Sequence, residues 1–523
     1  MIPAKAALAR SERPFVGWLG VAALSLSPGC SSEGPSQPQS ELRVAVSYEL
    51  ASLDPHSDNS LEAFEQTSNV YEPLIALDHG LRLVPNLAAS WSNPDATTWS
   101  FRLRPGVRFH DGSLLTAEDV VYSIMRLKGD PTLGMRSQLS EVTGATAESG
   151  EVVIRTGRPS ARLLNELAQV PMVRAGATHE TLERRPNGTG PFAVESWEPG
   201  RRLRLRRHEG YWGARPAHPR VDVEMGVSEE KAVEGLRAGR FSLVARINRA
   251  EVERAAMADQ RYRLVRQPSL FLTHLAFNVV NPILSGTAKA PNPFRRAEVR
   301  RAIDLALDRD RVAAARSQNA VPARHIVTQM VFGHDPGAPT PARDIDAARR
   351  LLESAGYPNG FDVILHDVNP APNPAAEEVK AQLSAIGIRV KIEPAPTVEA
   401  FFGPLRRREF SFWMAGDGAM TGEAGGLLAS QFHSPDLARN LGVENYGGYA
   451  DPELDRLIEE ADVLYDPGMR LPVLQKAVRQ AERDLFWIPL FHSSVLFVAA
   501  RDLAFRPRED LVLRYAEIGV APR

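Results

Sequence analysis

In the second half of the chain an amphipathic helix runs into a strand with only a glycine between them. Val379, Leu383 and Ile386 recur at helical spacing. Gly387 follows them, and residues 388–392 then alternate between apolar and polar positions. A helix stopped by glycine and followed at once by an alternating segment is typical of a protein in which helices cover the faces of a sheet. Helices and strands keep alternating through this half, so the sequence predicts an α/β fold.

The length and charge of the chain restrict its class further. The chain has 523 residues, which is too long for a single hydrophobic core, so we expect two or three lobes. It carries 62 Lys and Arg against 64 Asp and Glu, a formal net charge of −2, which argues against a nucleic-acid partner. Cys30 is the only cysteine, which excludes an internal disulfide framework and a cysteine-based zinc cluster.

The N-terminus has the organisation of an export signal. Three basic residues precede an apolar run at residues 15–26, which is too short to span a bilayer, since spanning takes roughly 20 residues. Small or turn-forming residues then lead to Cys30, and this site resembles a bacterial lipobox with Ser27 where the pattern prefers leucine. We therefore expect residues 1–30 to be a signal peptide that ends in a lipidated Cys30. Residues 31–40, rich in Ser, Pro and Gln, are expected to form a flexible tether.

Motifs for catalysis are missing from the sequence. It contains no G-x-S-x-G elbow, no H-E-x-x-H motif and no Gly-Lys pair of the kind that a P-loop requires. Residues 188–193 match G-x-G-x-x-A, but Pro191 leads into an alternating segment where a dinucleotide site would need a helix. We expect a protein that is not an enzyme and uses neither a cofactor nor a metal.

The order of short segments along the chain resembles the family 5 extracellular solute-binding proteins, the dipeptide, oligopeptide and nickel receptors of ABC importers. Each segment is short and unspecific, but their order extends over nearly the whole mature chain. The longest is WSFRLRPGVRFHDG at residues 99–112. The others lie at residues 52–56, 71–74, 85–91, 116–120, 188–192, 211–213, 299–308 and 348–357.

The resemblance implies a two-lobed periplasmic-binding-protein fold of the large peptide-binding type, with an inserted subdomain in the first lobe and a two-strand hinge. We expect the first lobe at residues 41–270, the second lobe at 271–488 and a C-terminal return to the first lobe at 489–523. The two crossing strands are expected within residues 269–277 and 488–497, because both are apolar alternating runs that can pass through a core.

The resemblance also implies the function. A monomer that is exported to the periplasm or cell envelope, and held to a membrane by lipid, would capture a small solute between closing lobes and deliver it to an ABC permease. A short peptide is the expected ligand. The same fold in this family also binds metal chelates, haem and oligosaccharides, so these remain alternatives, as does a ligand-binding sensory lipoprotein without a permease.

A receptor that accepts many peptides must bind their backbone and termini, which all of them share. A carboxylate for the ligand ammonium is then required. Residues 410–417 resemble the family segment in which a strand delivers Trp413 and then Asp417 to the cleft, and in peptide binders this Asp pairs with the ligand amino terminus. The segment has one more residue between Trp413 and Asp417 than the family pattern, and Gly418 replaces an aromatic residue.

Four further residues are candidates for ligand contact. Glu49 and Ala51 lie where the family uses a loop that pairs with the ligand backbone like an added strand, and Tyr48 is placed to cover the ligand. His274 lies in the first crossing strand. Two interpretations stay open: its side chain points into the cleft, or it lies between the lobes with its hydrogen bonds satisfied by the protein. Residues 406–408 are three arginines, one of which is a candidate for a ligand carboxylate, although such charge runs usually face solvent.

Overall fold

The computed structural model describes residues 41–522, with the exception of residues 248, 318, 341, 370 and 371. The predicted signal peptide, the tether and Cys30 lie outside the described residues. Between residues 41 and 522, no helix combines the length and the apolar composition that a membrane-spanning helix needs.

The strands range from two-residue pairings to two long strands. They are β1 (Leu42–Val46), β2 (Ile75–Leu77), β3 (Leu83–Pro85), β4 (Ala88–Asp95), β5 (Thr98–Leu103), β6 (Val142–Glu148), β7 (Glu151–Thr156), β8 (Phe192–Glu198), β9 (Arg202–Arg207), β10 (Arg220–Glu224), β11 (Leu243–Ala245), β12 (Tyr262–Phe277), β13 (Val321–Pro322), β14 (Asp362–Asp367), β15 (Arg389–Pro394), β16 (Phe412–Gly418), β17 (Trp487–Ala500), β18 (Leu503–Ala504) and β19 (Gly519–Val520).

The α-helices are mostly short. They are α1 (Leu61–Thr67), α2 (Ala117–Gly129), α3 (Leu163–Leu167), α4 (His179–Arg184), α5 (Glu229–Arg237), α6 (Ala250–Met257), α7 (Ala297–Ala306), α8 (Arg309–Arg316), α9 (Ile345–Ser354), α10 (Pro374–Ser384), α11 (Val398–Arg406), α12 (Ala424–Leu427), α13 (Pro452–Asp462) and α14 (Pro467–Arg483).

The helix-to-strand transition predicted around Gly387 is confirmed. Helix α10 begins after an Asn373 cap with Pro374 at its first position, and it buries Val379 and Leu383. Gly387 has a φ of +84°, a conformation that favours glycine, and it lets the chain turn directly into β15. Strand β15 then pairs in parallel with β14, so helices and parallel strands alternate in this part of the chain as the sequence predicts.

One large mixed sheet organises most of the chain. Its strand order is β15-β14-β16-β12-β17-β11-β1-β10-β9-β8, and β13 also pairs with β17. The two long strands β12 and β17 lie next to each other in the middle of this order and run antiparallel. The β12–β17 pair therefore joins the two halves of the sheet, with β14–β16 on one side and β1 and β8–β11 on the other.

The β12–β17 pair is the two-strand hinge of a two-lobed fold. Tyr262 to Pro268 pair with Ala500 to Ser494, on the side where β17 also pairs with β11. The register then shifts, and Leu272 to Ala276 pair with His492 to Trp487 while β12 also pairs with β16. We call the part with β1 and β8–β11 the first lobe and the part with β14–β16 the second lobe.

The shift in register lies between Pro268 and Leu272 on β12. The boundary predicted at residues 270/271 falls within this interval. The boundary predicted at 488/489 falls near the start of β17, before the shift on that strand between His492 and Ser494. The exact residues at which one lobe ends and the other begins stay a prediction.

A separate four-stranded sheet forms the inserted subdomain of the first lobe. Its strand order is β4-β5-β7-β6, and all its pairings are antiparallel. Helix α2 packs on it through Val120, Ile124 and Leu127, which are fully buried. The backbone N–H of Thr116 donates to Asp119 at 2.8 Å as part of a capping box at the start of this helix.

Candidate functional site

Strand β16 carries two of the predicted residues, Trp413 and Asp417, beside the hinge. It pairs with the second-lobe half of β12, with Ala276 opposite Trp413 and Leu272 opposite Asp417. The end of β16 approaches β12 closely, since a side chain at Gly418 would lie 2.4 Å from the carbonyl oxygen of Leu270. Gly418 therefore permits a close contact between two strands directly after Asp417.

A cavity of about 190 Å³ lies against this end of β16. Three predicted residues, His274, Trp413 and Asp417, line it together. The other lining residues are mostly aromatic or polar: Phe402, Leu405, Ala415, Gly416, Gln431, Glu444, Tyr446, Phe486 and Trp487. The cavity thus combines an apolar wall with a small number of polar groups, which is the usual composition of a small-molecule site.

The polar groups of the cavity are two carboxylates that share one amide. The Gln431 side-chain N–H group donates to Asp417 and also to Glu444, the latter at 2.8 Å. The backbone N–H of Gly418 donates to Asp417 at 2.6 Å, and the Ser430 hydroxyl donates to Glu444 at 2.8 Å. Asp417 is partly buried and Glu444 is exposed. We call Asp417 and Glu444 the cleft acids.

Within the described part of the chain, neither cleft acid forms an ion pair with a lysine, arginine or histidine. Burial, and next the negative charge of Glu444, raise the pKa of Asp417 to about 7. The hydrogen bonds from Gly418 and Gln431 offset this effect only in part. A cation placed between the two carboxylates would stabilise the ionised form of both, so the arrangement suits a positively charged ligand group.

His274 lies on the apolar side of the cavity. Its ring stacks on Trp487, with 3.7 Å between the ring centroids and 14° between the planes. Burial lowers its pKa to about 3, so the ring is neutral at physiological pH. Its Nδ1 atom has no hydrogen-bond partner among the described residues. His274 on β12 lines this cavity beside Trp487 of β17, and its role in ligand contact stays a prediction.

The structure places Tyr48 in a buried network of the first lobe. Its hydroxyl donates to Glu65 and accepts a hydrogen bond from the Gln66 amide at 2.6 Å. Glu65 is also paired with Arg246 at 2.9 Å. Burial and the neighbouring Glu65 charge raise the pKa of Tyr48 well above its usual range. Tyr48 does not line the cavity around Asp417.

Glu49 and Ala51 are exposed in an extended loop after β1. The carbonyls of Tyr48 and Leu50 accept hydrogen bonds from Gly226 and Gly200 at 2.9 and 3.0 Å. Among the described residues, the backbones of Glu49 and Ala51 form no such bond. The role of Glu49 and Ala51 in pairing with a ligand backbone stays a prediction. Neither residue lines the cavity around Asp417.

A larger cavity of about 860 Å³ lies between the two lobes. Ser47 and Arg246 border it from the first lobe, and Arg316 and Asn319 border it from the second. Ser493 contributes from the β17 strand of the hinge. The loop that begins at Ser47 thus borders the space between the lobes at its start.

Two of the three consecutive arginines are engaged on the surface. Arg406 pairs with Glu399 at 2.7 Å, and Arg407 pairs with Glu409 at 2.6 Å. None of Arg406, Arg407 and Arg408 lines the cavity around Asp417. Residue patterns alone did not identify Gln431, Glu444 or Trp487, which come from separate segments and meet only in the folded chain. Trp487 alone had a signal, because it begins the apolar run of β17.

Among the described residues, no group of three or more His, Cys, Asp or Glu side chains is placed to hold a metal ion. The cavity holds two acids, a neutral histidine and a row of aromatic rings. Such a set is suited to binding a cationic group through charge and through the faces of aromatic rings.

Comparison with known proteins agrees with this architecture. Residues 82–438 match the model of the family described as bacterial extracellular solute-binding proteins, family 5 Middle. HbpA2 from Haemophilus parasuis has a similar structure, with a TM-score of 0.81 and 22% sequence identity, covering 92% of this chain and 100% of that one. Two lobes joined by two strands, with a cavity beside the hinge, agree with the fold of a solute-binding protein.

This chain belongs to the family 5 bacterial extracellular solute-binding proteins. Two curated relatives match it along most of their length. Heme-binding protein A of Haemophilus influenzae is 26% identical over 467 residues, covering 82% of each chain. The dipeptide-binding protein of Escherichia coli K12 is 24% identical over 489 residues, covering 83% of this chain and 88% of that one.

Proposed function

We propose that this protein captures a short peptide between its two lobes and delivers it to an ABC permease. The observation that carries the proposal is the pair of cleft acids, Asp417 and Glu444, which share Gln431 and have no cation among the described residues. The α-ammonium group of a peptide supplies the missing positive charge. The similarity to the dipeptide-binding protein of Escherichia coli K12 supports the same ligand class.

The walls of the cavity suit the same group. Trp413, Tyr446 and Trp487 present aromatic surface beside the two carboxylates, and a cation gains from both. His274 is neutral and therefore does not repel an ammonium group. In this arrangement Asp417 is the principal partner of the ammonium, Glu444 adds attraction from the exposed side, and the aromatic rings exclude water.

Glu49 and Ala51 would hold the ligand from the first lobe. Their backbone groups form no backbone hydrogen bond among the described residues, so an extended peptide could pair with them as an additional strand. Tyr48 then acts as a support, because its hydroxyl is already engaged by Glu65 and Gln66.

Native mass spectrometry of the purified protein, followed by denaturation, tests the ligand class. We expect a heterogeneous set of short peptides to be released, or to be taken up from a peptide mixture by the ligand-free protein. Isothermal titration with a dipeptide, and with the same dipeptide acetylated at its N-terminus, measures how much the ammonium group contributes to the affinity. Equal affinity for both peptides, or failure of both to bind, would contradict the assignment.

A haem or metal-chelate ligand is the second candidate, and His274 is the observation that favours it. His274 lines the cavity, its Nδ1 atom has no hydrogen-bond partner among the described residues, and a relative is the Heme-binding protein A of Haemophilus influenzae. Titration with haemin, followed by absorbance, gives a His274-dependent spectral shift if this candidate is correct. The cavity of about 190 Å³ is small for a tetrapyrrole, which is why we favour the peptide.

We also propose that the mature protein is a lipoprotein anchored at Cys30. The support is the sequence of the signal, since Cys30 lies outside the described residues. Cys30→Ser is expected to move the protein from the membrane fraction to the soluble fraction after cell lysis, without changing ligand affinity. A Cys30→Ser protein that still sediments with membranes would contradict lipidation at this residue.

A further inference from the structure

The cleft acids carry more negative charge than a single ammonium group offsets. Asp417 and Glu444 each accept a hydrogen bond from the side-chain nitrogen of Gln431, so the two accepting oxygens lie within about 6 Å of each other. The α-ammonium group proposed as the partner of Asp417 supplies one positive charge. When both carboxylates are ionised, one negative charge therefore remains at the cavity.

The remaining charge lies at Glu444, on the exposed side of the cavity. Among the described residues, Glu444 accepts hydrogen bonds only from neutral donors. Tyr446 is close to it, since burial, and next the charge of Glu444, raise the pKa of Tyr446 to about 12. Arg406 lowers this pKa, but it pairs with Glu399 at 2.7 Å and does not line the cavity. Within the described part of the chain, no cation is therefore paired with Glu444.

The cavity has room for a side chain beside the ammonium group. Its volume is about 190 Å³, whereas an ammonium group is comparable in size to a water molecule, whose share of the liquid is roughly 30 Å³. Phe402 and Tyr446 line the cavity, with their ring centroids 6.5 Å apart. Such rings pack against the aliphatic stem of a lysine or arginine, and they also attract its charged end.

His274 is a second, independent indication of a polar ligand. It is 2% exposed and lines the cavity, and its Nδ1 atom has no hydrogen-bond partner among the described residues. Buried polar atoms are nearly always hydrogen-bonded, so an unpartnered one at a cavity indicates a ligand that completes the bonding. Burial lowers the pKa of this ring to about 3, so the ring is neutral and does not repel a cation.

We propose that the cavity selects peptides whose first residue carries a cationic side chain, that of lysine or arginine. The α-ammonium group binds Asp417, and the side-chain cation of the same residue lies at Glu444. The stem of that side chain packs against Phe402 and Tyr446, and its length and flexibility let both cations reach their carboxylates. This inference rests on the proposed function, because it requires a peptide whose α-ammonium group meets Asp417.

Isothermal titration of the purified protein with lysyl-alanine, norleucyl-alanine and alanyl-alanine tests the inference. Norleucine has the aliphatic stem of lysine without its amino group, so the first two dipeptides differ in the side-chain charge. We expect lysyl-alanine to bind about fivefold more tightly than norleucyl-alanine, a modest factor because Glu444 is exposed and its charge is screened. The difference is expected to shrink as sodium chloride is added.

Glu444→Gln is expected to make the affinities for lysyl-alanine and norleucyl-alanine equal. Glu353→Gln is the matched control, because Glu353 is an exposed glutamate on α9 of the second lobe that does not line the cavity, and it should keep the preference.

Two results would overturn the inference while the proposed function stands. They are equal affinity of the unaltered protein for lysyl-alanine and norleucyl-alanine, and a preference for lysyl-alanine that survives Glu444→Gln. In either case binding of alanyl-alanine still supports peptide capture. Failure of all three dipeptides to bind would contradict the proposed function and this inference together.

Discussion

Two acidic clusters of this protein differ in how their negative charge is compensated. At one cluster Asp462, at the end of α13, meets Glu141 and Glu166 of the inserted subdomain, and Arg158 and Arg162 lie among the three carboxylates. At the other cluster the cleft acids accept hydrogen bonds only from neutral donors among the described residues: the Gln431 amide, the Gly418 N–H and the Ser430 hydroxyl. We call the first group the arginine-bridged cluster.

Within the arginine-bridged cluster the protein supplies nearly all of the compensation itself. Arg162 donates to Asp462 and Glu141 at 2.9 Å and to Glu166 at 3.0 Å, so one guanidinium serves three carboxylates. Two arginines face three acids, and burial raises the pKa of Glu166 to about 7, so a proton can neutralise the remaining charge. This cluster ties the second lobe to the inserted subdomain.

The cleft acids, in contrast, lack any cation of the chain itself within the described residues. A pair of carboxylates without a counter-charge destabilises the folded protein, because Asp417 is partly desolvated and the two charges repel each other. The difference teaches that acidic groups which serve the structure are paired internally, whereas those left unpaired at a cavity are candidates for a ligand. Substitutions in each cluster test this distinction in opposite directions.

Arg162→Met should have the largest effect on stability. It leaves three buried acids with a single arginine, and loss of one partner from a buried ion-pair network costs about 3–5 kcal/mol of unfolding free energy. Thermal unfolding followed by circular dichroism measures the loss. Arg155→Met, at an exposed pair with Glu148 in the same subdomain, is the control and should change the midpoint little. An unchanged midpoint for Arg162→Met would refute the structural role of this cluster.

Asp417→Asn should act mainly on binding. Loss of the charge removes the principal partner of the ligand ammonium, and we expect peptide affinity to fall by about 2 kcal/mol or more, roughly thirtyfold. Stability of the ligand-free protein should rise or stay the same, because repulsion from Glu444 disappears. Titration calorimetry and thermal unfolding give the two values, with Asp346→Asn on exposed α9 as a control. A stability loss without a binding loss would place Asp417 with the structural acids.

The sequence identified part of this site and missed the rest for a physical reason. Trp413 and Asp417 lie on one strand, so the resemblance of a single segment was sufficient to find them. His274 was found because the strand that carries it is an apolar alternating run. Glu444 and Gln431 lie in irregular or short helical segments that have no periodicity of their own, and only the folded chain brings them to Asp417.

The first-lobe candidates show what a family resemblance does not predict, namely the contacts that a residue makes within the folded chain. Tyr48 was placed at the ligand by its position in the loop, but its hydroxyl is engaged by Glu65 and Gln66 in a buried network. No local pattern in residues 47–51 indicates those partners, which lie on α1. The α/β class, in contrast, followed from short-range apolar patterns, because such patterns report directly on which face of an element is buried. The resemblance implied the two crossing strands, and the apolar patterns served to locate them.

The pH dependence of binding should follow the ionisation of Asp417. Because its pKa is about 7 in the folded protein, above its ordinary value of 3.8, peptide affinity should fall up to tenfold per pH unit below about pH 7. Between about pH 4 and pH 7 the folded chain binds more protons at this group than the unfolded chain, so its contribution to stability declines as the pH rises. Calorimetry across this range, with Asp417→Asn as reference, measures both effects. An affinity independent of pH would contradict them.

Glu444→Gln should have the smallest effect on peptide affinity at neutral or higher pH. It should also change the pH dependence of binding. Glu444 is exposed, so its attraction for the ammonium is screened, and we expect affinity above pH 7 to fall only about fivefold, or about 1 kcal/mol. Its charge also helps to raise the pKa of Asp417, so Glu444→Gln should move the pH midpoint of binding to a lower value. Affinity measured at several pH values separates the two effects, with Glu459→Gln on α13 as an acidic control outside the cavity. A weaker affinity with an unmoved midpoint would mean that Glu444 does not act on Asp417, and the cleft acids would then be two independent groups.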